Sequence, residues 1–113
     1  MTEFPIRTAP SGAVVVCPTG RLNLAVAPVL RTQLHTLVSS GSTRLVIDLS
    51  SVDSIDSSGL GALISGLKAA RQAGGDLRIA APAAQVKAVL ELTHLDRVLQ
   101  SHDVADDAFD DPG

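Results

Sequence analysis

Apolar residues gather into short β-branched runs that alternate with segments of helical spacing. Ala13-Val14-Val15-Val16-Cys17 closes at Pro18-Thr19-Gly20, and Arg44-Leu45-Val46-Ile47-Asp48-Leu49 closes at Ser50-Ser51, so both runs predict strands. Leu77-Arg78-Ile79-Ala80-Ala81, set between Gly74-Gly75-Asp76 and Pro82, predicts a third. Arg97-Val98-Leu99-Gln100 is a more polar fourth, and Ile6-Arg7-Thr8 is placed at a sheet edge. Between these runs Val26, Leu30, Leu34, Leu37 and Val38 recur at helical spacing, with entry near Asn23 or Ala25, Pro28 in the first turn and Gly41 as a stop. A further helix is predicted from Ala83 to about Thr93 by Val86, Val89 and Leu90, and the acidic end from about 103 reads as frayed or as a short last helix, Val104 to Phe109. Strands alternating with helices imply crossover connections and a largely parallel sheet, with an antiparallel first hairpin.

The helix beginning in Ser54-Ile55-Asp56-Ser57-Ser58-Gly59-Leu60-Gly61 sorts into unequal faces at about 100° per residue. Leu60, Leu63, Ile64 and Leu67 form a large apolar stripe that should pack on the sheet. Gly59, Ala62, Gly66, Ala69 and Ala73 form a stripe of very small residues, and Gly61, Ser65, Lys68 and Gln72 make up the rest. A glycine inside a helix costs about 1 kcal/mol relative to alanine, so something must approach this helix closely. Either a neighbouring element of the same domain or a partner protein meets that requirement. Asp56-Ser57-Ser58 stands where the first backbone N–H groups lack partners, which makes these residues helix caps. The same position suits a phosphoserine, whose dianion would lie against the positive end of the helix dipole while Asp48, Asp53 and Asp56 opposed it if close in space.

Composition narrows the function. The 113 residues, 45% hydrophobic and 19% charged, are the size of one domain, read as spanning 1–113. A net charge of −3 and only two aromatics, Phe4 and Phe109, disfavour nucleic acid as a direct partner. No apolar run approaches a membrane span and no signal sequence is evident, so a cytoplasmic protein without membrane insertion is expected. Cys17, alone, excludes an intrachain disulfide and reads as a buried structural thiol.

Catalytic motifs fit poorly. Gly59-Leu60-Gly61-Ala62-Leu63-Ile64 lacks the last glycine of the dinucleotide fingerprint, and Gly61 to Lys68 misses the phosphate-binding P-loop because Leu67 stands where its lysine belongs. No motif ties His35, His94 or His102 to Ser57 or Ser58 as a base, and no Cys, His and carboxylate cluster has metal-ligand spacing. Accordingly no enzymatic activity, metal or cofactor is expected, nor a small-molecule ligand.

"TGRLN" after the second strand, "RLVIDLSSVDSIDSSGLGALISGLKAARQAGGDLRIAAP" through the middle and "VKAVLELTHLDRVL" near the end together resemble the STAS domains of bacterial anti-sigma factor antagonists, the anti-anti-sigma factors. The resemblance covers nearly the whole chain. It implies an α/β STAS fold, with a four- to five-stranded mixed, largely parallel sheet and helices packed mainly on one side. It further implies a partner switch. In this family the unphosphorylated antagonist binds an anti-sigma factor that is also a serine kinase and so releases the sigma factor; phosphorylation reverses the binding and a PP2C-type phosphatase restores it. ATP and magnesium belong to the kinase.

By that resemblance the phospho-acceptor maps onto Ser57, with Ser58 the lesser candidate and Asp56 orienting the turn. The implied docking surface joins Gly20, Arg21, Leu22, Asn23 and Leu24 to Asp56, Ser57, Ser58, Gly59 and Ala62. Many members carry Gly-Glu-Leu-Asp where this chain reads Gly20-Arg21-Leu22-Asn23, so an acid has become an amide and a charge is reversed at Arg21. Binding without phosphorylation therefore stays open, as in a STAS regulatory module of a transporter or other signalling assembly. A small hydrolase using Ser57 is the third reading.

Overall fold

A computed structural model describes residues 3–109; Asp110 and Asp111 of the acidic end lie outside them. The strands are β1 (Ile6–Thr8), β2 (Val14–Val16), β3 (Gly20–Leu22), β4 (Arg44–Asp48), β5 (Val52–Ile55), β6 (Asp76–Ala80) and β7 (Ser101–His102). The helices are α1 (Ala27–Ser39), α2 (Ser57–Gln72) and α3 (Ala84–Leu92). A five-stranded sheet runs in the order β1-β2-β4-β6-β7, antiparallel only between β1 and β2, and β3 pairs with β5 in a separate parallel ribbon. The result is a mixed sheet of mostly parallel strands with three helices, the architecture that the resemblance implies.

Continuous apolar runs in the central strands reflect burial on both faces. Along β4, Leu45 and Ile47 join the helix-side core while Val46 turns to the opposite side, and Val14 and Val16 alternate with Val15 in the same way. On the helix side Leu30 and Leu34 of α1, Leu60, Leu63 and Leu67 of α2, and Val86 and Leu90 of α3 close the main core. Gly41 and Gly74 take positive φ, +100° and +89°, and end α1 and α2. The Ser42 amide donates to the Leu37 carbonyl at 2.9 Å and the Gly75 amide to the Ala70 carbonyl at 2.8 Å, satisfying groups that each helix end would otherwise leave bare. Gln33, buried on α1, has its amide paired twice with Phe4: it accepts from the Phe4 N–H at 2.9 Å and donates to the Phe4 carbonyl at 2.7 Å, which ties the incoming chain to the helix.

Two expectations change at the end of the chain. Arg97–Gln100 is not a strand, because Leu95–Arg97 forms a 3-10 turn in which the Val98 and Leu99 amides donate back to the Leu95 carbonyl at 3.0 and 2.8 Å. Those amides are spent, and pairing resumes where the Gln100 carbonyl accepts from Ile79. The acidic end, where described, is neither frayed nor a full helix. It makes a 3-10 turn, Ala105–Asp107, that covers the sheet face opposite the helices with Ala105 and Ala108. Asp106 pairs with Arg7 of β1, and Arg78 of β6 donates to the Ala108 carbonyl at 2.7 Å. The Phe109 ring lies under Arg78, with 4.2 Å from guanidinium carbon to ring centroid, and Arg44 stands at 5.9 Å. A sheet with helices on one face would otherwise expose Val15, Val46 and Ala80 to water.

Cys17 is free and half-buried beside this second cluster. Burial and the carboxylate of Asp48 push its thiol up, against a smaller opposing pull from Arg7. The thiolate fraction at neutral pH is correspondingly low. Cys17 in the native protein should react with a disulfide reagent at pH 7 to 8 more slowly than in the urea-unfolded chain; equal rates would contradict that placement. Leu63→Ala, at a position with no solvent exposure, should destabilise the fold by about 2–5 kcal/mol in urea unfolding.

Candidate functional site

β5 ends at Ile55, and Asp56 turns the chain into α2 while keeping an extended backbone itself (φ −113°, ψ −174°). Its Oδ1 accepts from the amides of Ser58 at 2.9 Å and Gly59 at 3.1 Å, the N-cap that the sequence predicts. Ser57, the first helical residue, is exposed, and Ser58 is half-buried. The carboxylate thus occupies two of the amides that an anion at this helix start would seek.

The Gly20–Leu24 segment reaches the same place through the β3–β5 ribbon, which aligns Arg21 with Ser54 and Leu22 with Ile55. The Asp56 amide donates to the Leu22 carbonyl at 3.2 Å. Beyond Leu22, the Asn23 side-chain oxygen accepts from the Ala25 amide at 3.0 Å, and its backbone carbonyl accepts from Val26 and Ala27 at 3.1 and 2.9 Å. Asn23 therefore builds the turn into α1, three residues ahead of the helix cap at Val26. This leaves Leu24 projecting, 72% exposed.

The two sequence segments proposed as one surface thus lie side by side, but they divide by depth. Arg21, Leu24, Asp56 and Ser57 are exposed, whereas Leu22, Gly59 and Ala62 are buried and shape the surface from beneath. The glycines also divide. A methyl group on Gly59 would collide with the Leu22 carbonyl oxygen, and one on Gly66 would stand 2.6 Å from Leu34 Cδ1; Gly61 faces open space. Two of the three glycines are therefore required by packing inside the domain, not by an outside partner.

Arg31 was not singled out from the sequence, and Pro28 was read only as a first-turn residue of the helix. With Leu24, Ala27, Ser58, Gly61 and Ala62 they line a shallow groove of about 260 Å³ between the starts of α1 and α2. The available signal was the spacing of positions 28 and 31, which neighbour each other on one face of α1. Among the described residues, the imidazole–hydroxyl hydrogen bond is between His35 and Ser65, at 2.7 Å, about two turns along α2 from Ser57. Also among the described residues, no group of three His, Cys, Asp or Glu side chains could hold a metal ion, and no helix is long and apolar enough to cross a membrane.

A family model described as "Mlab, STAS domain" matches residues 7–101. A protein of Thermotoga maritima, provisionally named an anti-sigma factor antagonist, is 30% identical over 109 residues, covering 96% of each chain. The crystal structure of a provisionally named anti-sigma factor antagonist from the same organism superposes with a TM-score of 0.87 at 30% identity, over 95% of this chain and 92% of that one. The Bacillus cell fate determinant SpoIIAA in its phosphorylated form gives a TM-score of 0.72 at 18% identity, over 96% of this chain and 97% of that one, a likeness of fold.

Gly59→Ala and Gly61→Ala should have opposite effects. The first must push β3 from the helix start and should cost about 1–3 kcal/mol; the second adds a methyl in open space and should stabilise by about 0.5–1 kcal/mol, both read from urea midpoints. Equal effects would mean that the Leu22 contact exerts no constraint. Asp56→Ala should cost about 1 kcal/mol through loss of the cap.

Proposed function

The chain belongs to the STAS-domain family of anti-sigma factor antagonists, and on that premise we propose that its unphosphorylated form binds an anti-sigma factor serine kinase, displaces the sigma factor, and is switched off by phosphorylation of Ser57. The observation that carries this reading is Ser57 itself: exposed at the first position of α2, next in the chain to Ser58, which lines one groove with the exposed Leu24, and with the neighbouring amides already bound by Asp56. A phosphate there would bring about −1.5 to −2 charges. Because Asp56 already caps the helix, the added charge would not be absorbed by the Ser58 and Gly59 amides and would instead be presented to whatever docks. An apolar contact through Leu24 would lose favour beside it, while the core, held from the other side of α2, would be undisturbed. The domain is then a regulator rather than an enzyme. ATP and magnesium would be the kinase's, and a PP2C-type phosphatase would reset the switch in the cytoplasm, where sigma factors act.

Asn23 fits this reading through its geometry. Its amide oxygen performs a local turn bond that an aspartate could also make, so the substitution relative to many relatives removes charge without removing the loop. With Arg21 exposed on the same loop, the surface suits a kinase partner whose own facing patch is more acidic than usual.

Capture from native lysate with and without ATP, followed by mass spectrometry, should return an anti-sigma factor kinase and a phosphate on Ser57. Ser57→Ala should retain the kinase and accept no phosphate, whereas Ser57→Asp should bind at least about tenfold more weakly. Phosphorylation of Ser57→Ala at the wild-type rate would falsify the site assignment. Recovery of transport subunits with no kinase would overturn the switch itself.

A further inference from the structure

The residue before the acceptor turn is held from a side that the sequence does not reveal. Consecutive amides at the end of β5 point in opposite directions, as they must in a strand. That of Asp56 goes to the Leu22 carbonyl of β3 at 3.2 Å, and that of Ile55 goes outward, to the side-chain oxygen of Gln85 at 3.2 Å. Gln85 lies in the first turn of α3, which packs against β5 and is anchored in the core by Val86 and Leu90. Ile55 is buried, so its amide has little access to water if that acceptor is lost.

We infer that Gln85 is a positioning residue of the Ser57 switch, clamping the Ile55–Ser57 segment from α3 while Leu22 clamps it from β3. The inference rests on the reading of Ser57 as the switch. With both clamps closed, Asp56 is held where its carboxylate caps Ser58 and Gly59, and Ser57 is presented in one orientation. With Gln85 removed, the free edge of β5 has no partner, and the turn is fixed on one side. Gln85 is exposed and adds no large apolar area to the core, so its contribution comes through that one hydrogen bond.

The test compares Gln85→Leu, which keeps the bulk and deletes the acceptor, with Gln85→Glu, which keeps an oxygen in place; Gln85→Ala stands in should the leucine variant misfold. Amide hydrogen exchange by NMR on the full chain should show Ile55 and Asp56 exchanging at least about tenfold faster in Gln85→Leu, with Ile47 and Leu63 unchanged and Gln85→Glu near wild type. Affinity for the anti-sigma factor kinase retained by the Ser57→Ala protein should fall by a similar factor in Gln85→Leu and recover in Gln85→Glu. Wild-type exchange at Ile55 and Asp56 would overturn the inference, and so would a uniform rise that includes Leu63, since that is the mark of a merely structural residue. If the wild-type protein retains no anti-sigma factor, the switch reading fails, while the exchange comparison still decides whether Gln85 holds the turn.

Discussion

Leu22 offers its carbonyl oxygen to two neighbours at once: it accepts the Asp56 amide at 3.2 Å, and it sits against Gly59, where any side chain would collide with it. One contact joins the loop after β2 to the start of α2, and the other sets how close they come. The positions of Leu24, Asp56 and Ser57 all follow from that closeness. The ribbon that supplies it is short, three residues against four, so its pairing must be supported from outside. The support is apolar, with Leu22, Val52 and Ile55 reaching into the main core, and polar, with Gln85 bonding the free edge.

The rest of the fold makes this placement rigid by closing both faces of one sheet. Alternation along β2, β4 and β6 divides buried residues between a thick helix-side core and a thinner cluster behind. Three helices cover the first. The second is covered by the turn at Ala105–Asp107 and Phe109, which Arg7, Arg44 and Arg78 meet through their guanidinium groups. Exposed ion pairs contribute only about 0–1 kcal/mol each, so Ala105 and Ala108 carry most of the attachment. The surface proposed as the switch lies on neither face but where the β3–β5 ribbon meets the starts of α1 and α2.

Much of the candidate site was legible because its signals are local. A cap, a first helical serine and a projecting loop depend on residues within a few positions of one another, and Asp56 caps Ser58 and Gly59 as read. The glycines of α2 were legible only as a question. Their steric cost is visible in sequence, but Gly59 answers to Leu22, Gly66 to Leu34 and Gly61 to nothing, and those partners lie in other elements. Gln85 left no trace at all, since a glutamine in the first turn of a helix is ordinary until a strand edge is seen beside it.

By itself the sequence determined the elements whose evidence is periodic: the β-branched runs, the apolar stripes of the helices, their glycine stops and the acid that opens α2. These are short-range preferences of the backbone and of side-chain burial, and they survive without knowledge of neighbours. Tertiary structure alone decided that Gly20–Leu22 and Val52–Ile55 pair, that Arg97–Gln100 turns instead of extending, and that the acidic end folds back over the sheet. Each of those outcomes depends on a hydrogen-bond partner or an uncovered apolar face far away in the chain, and no local pattern records where folding will bring it.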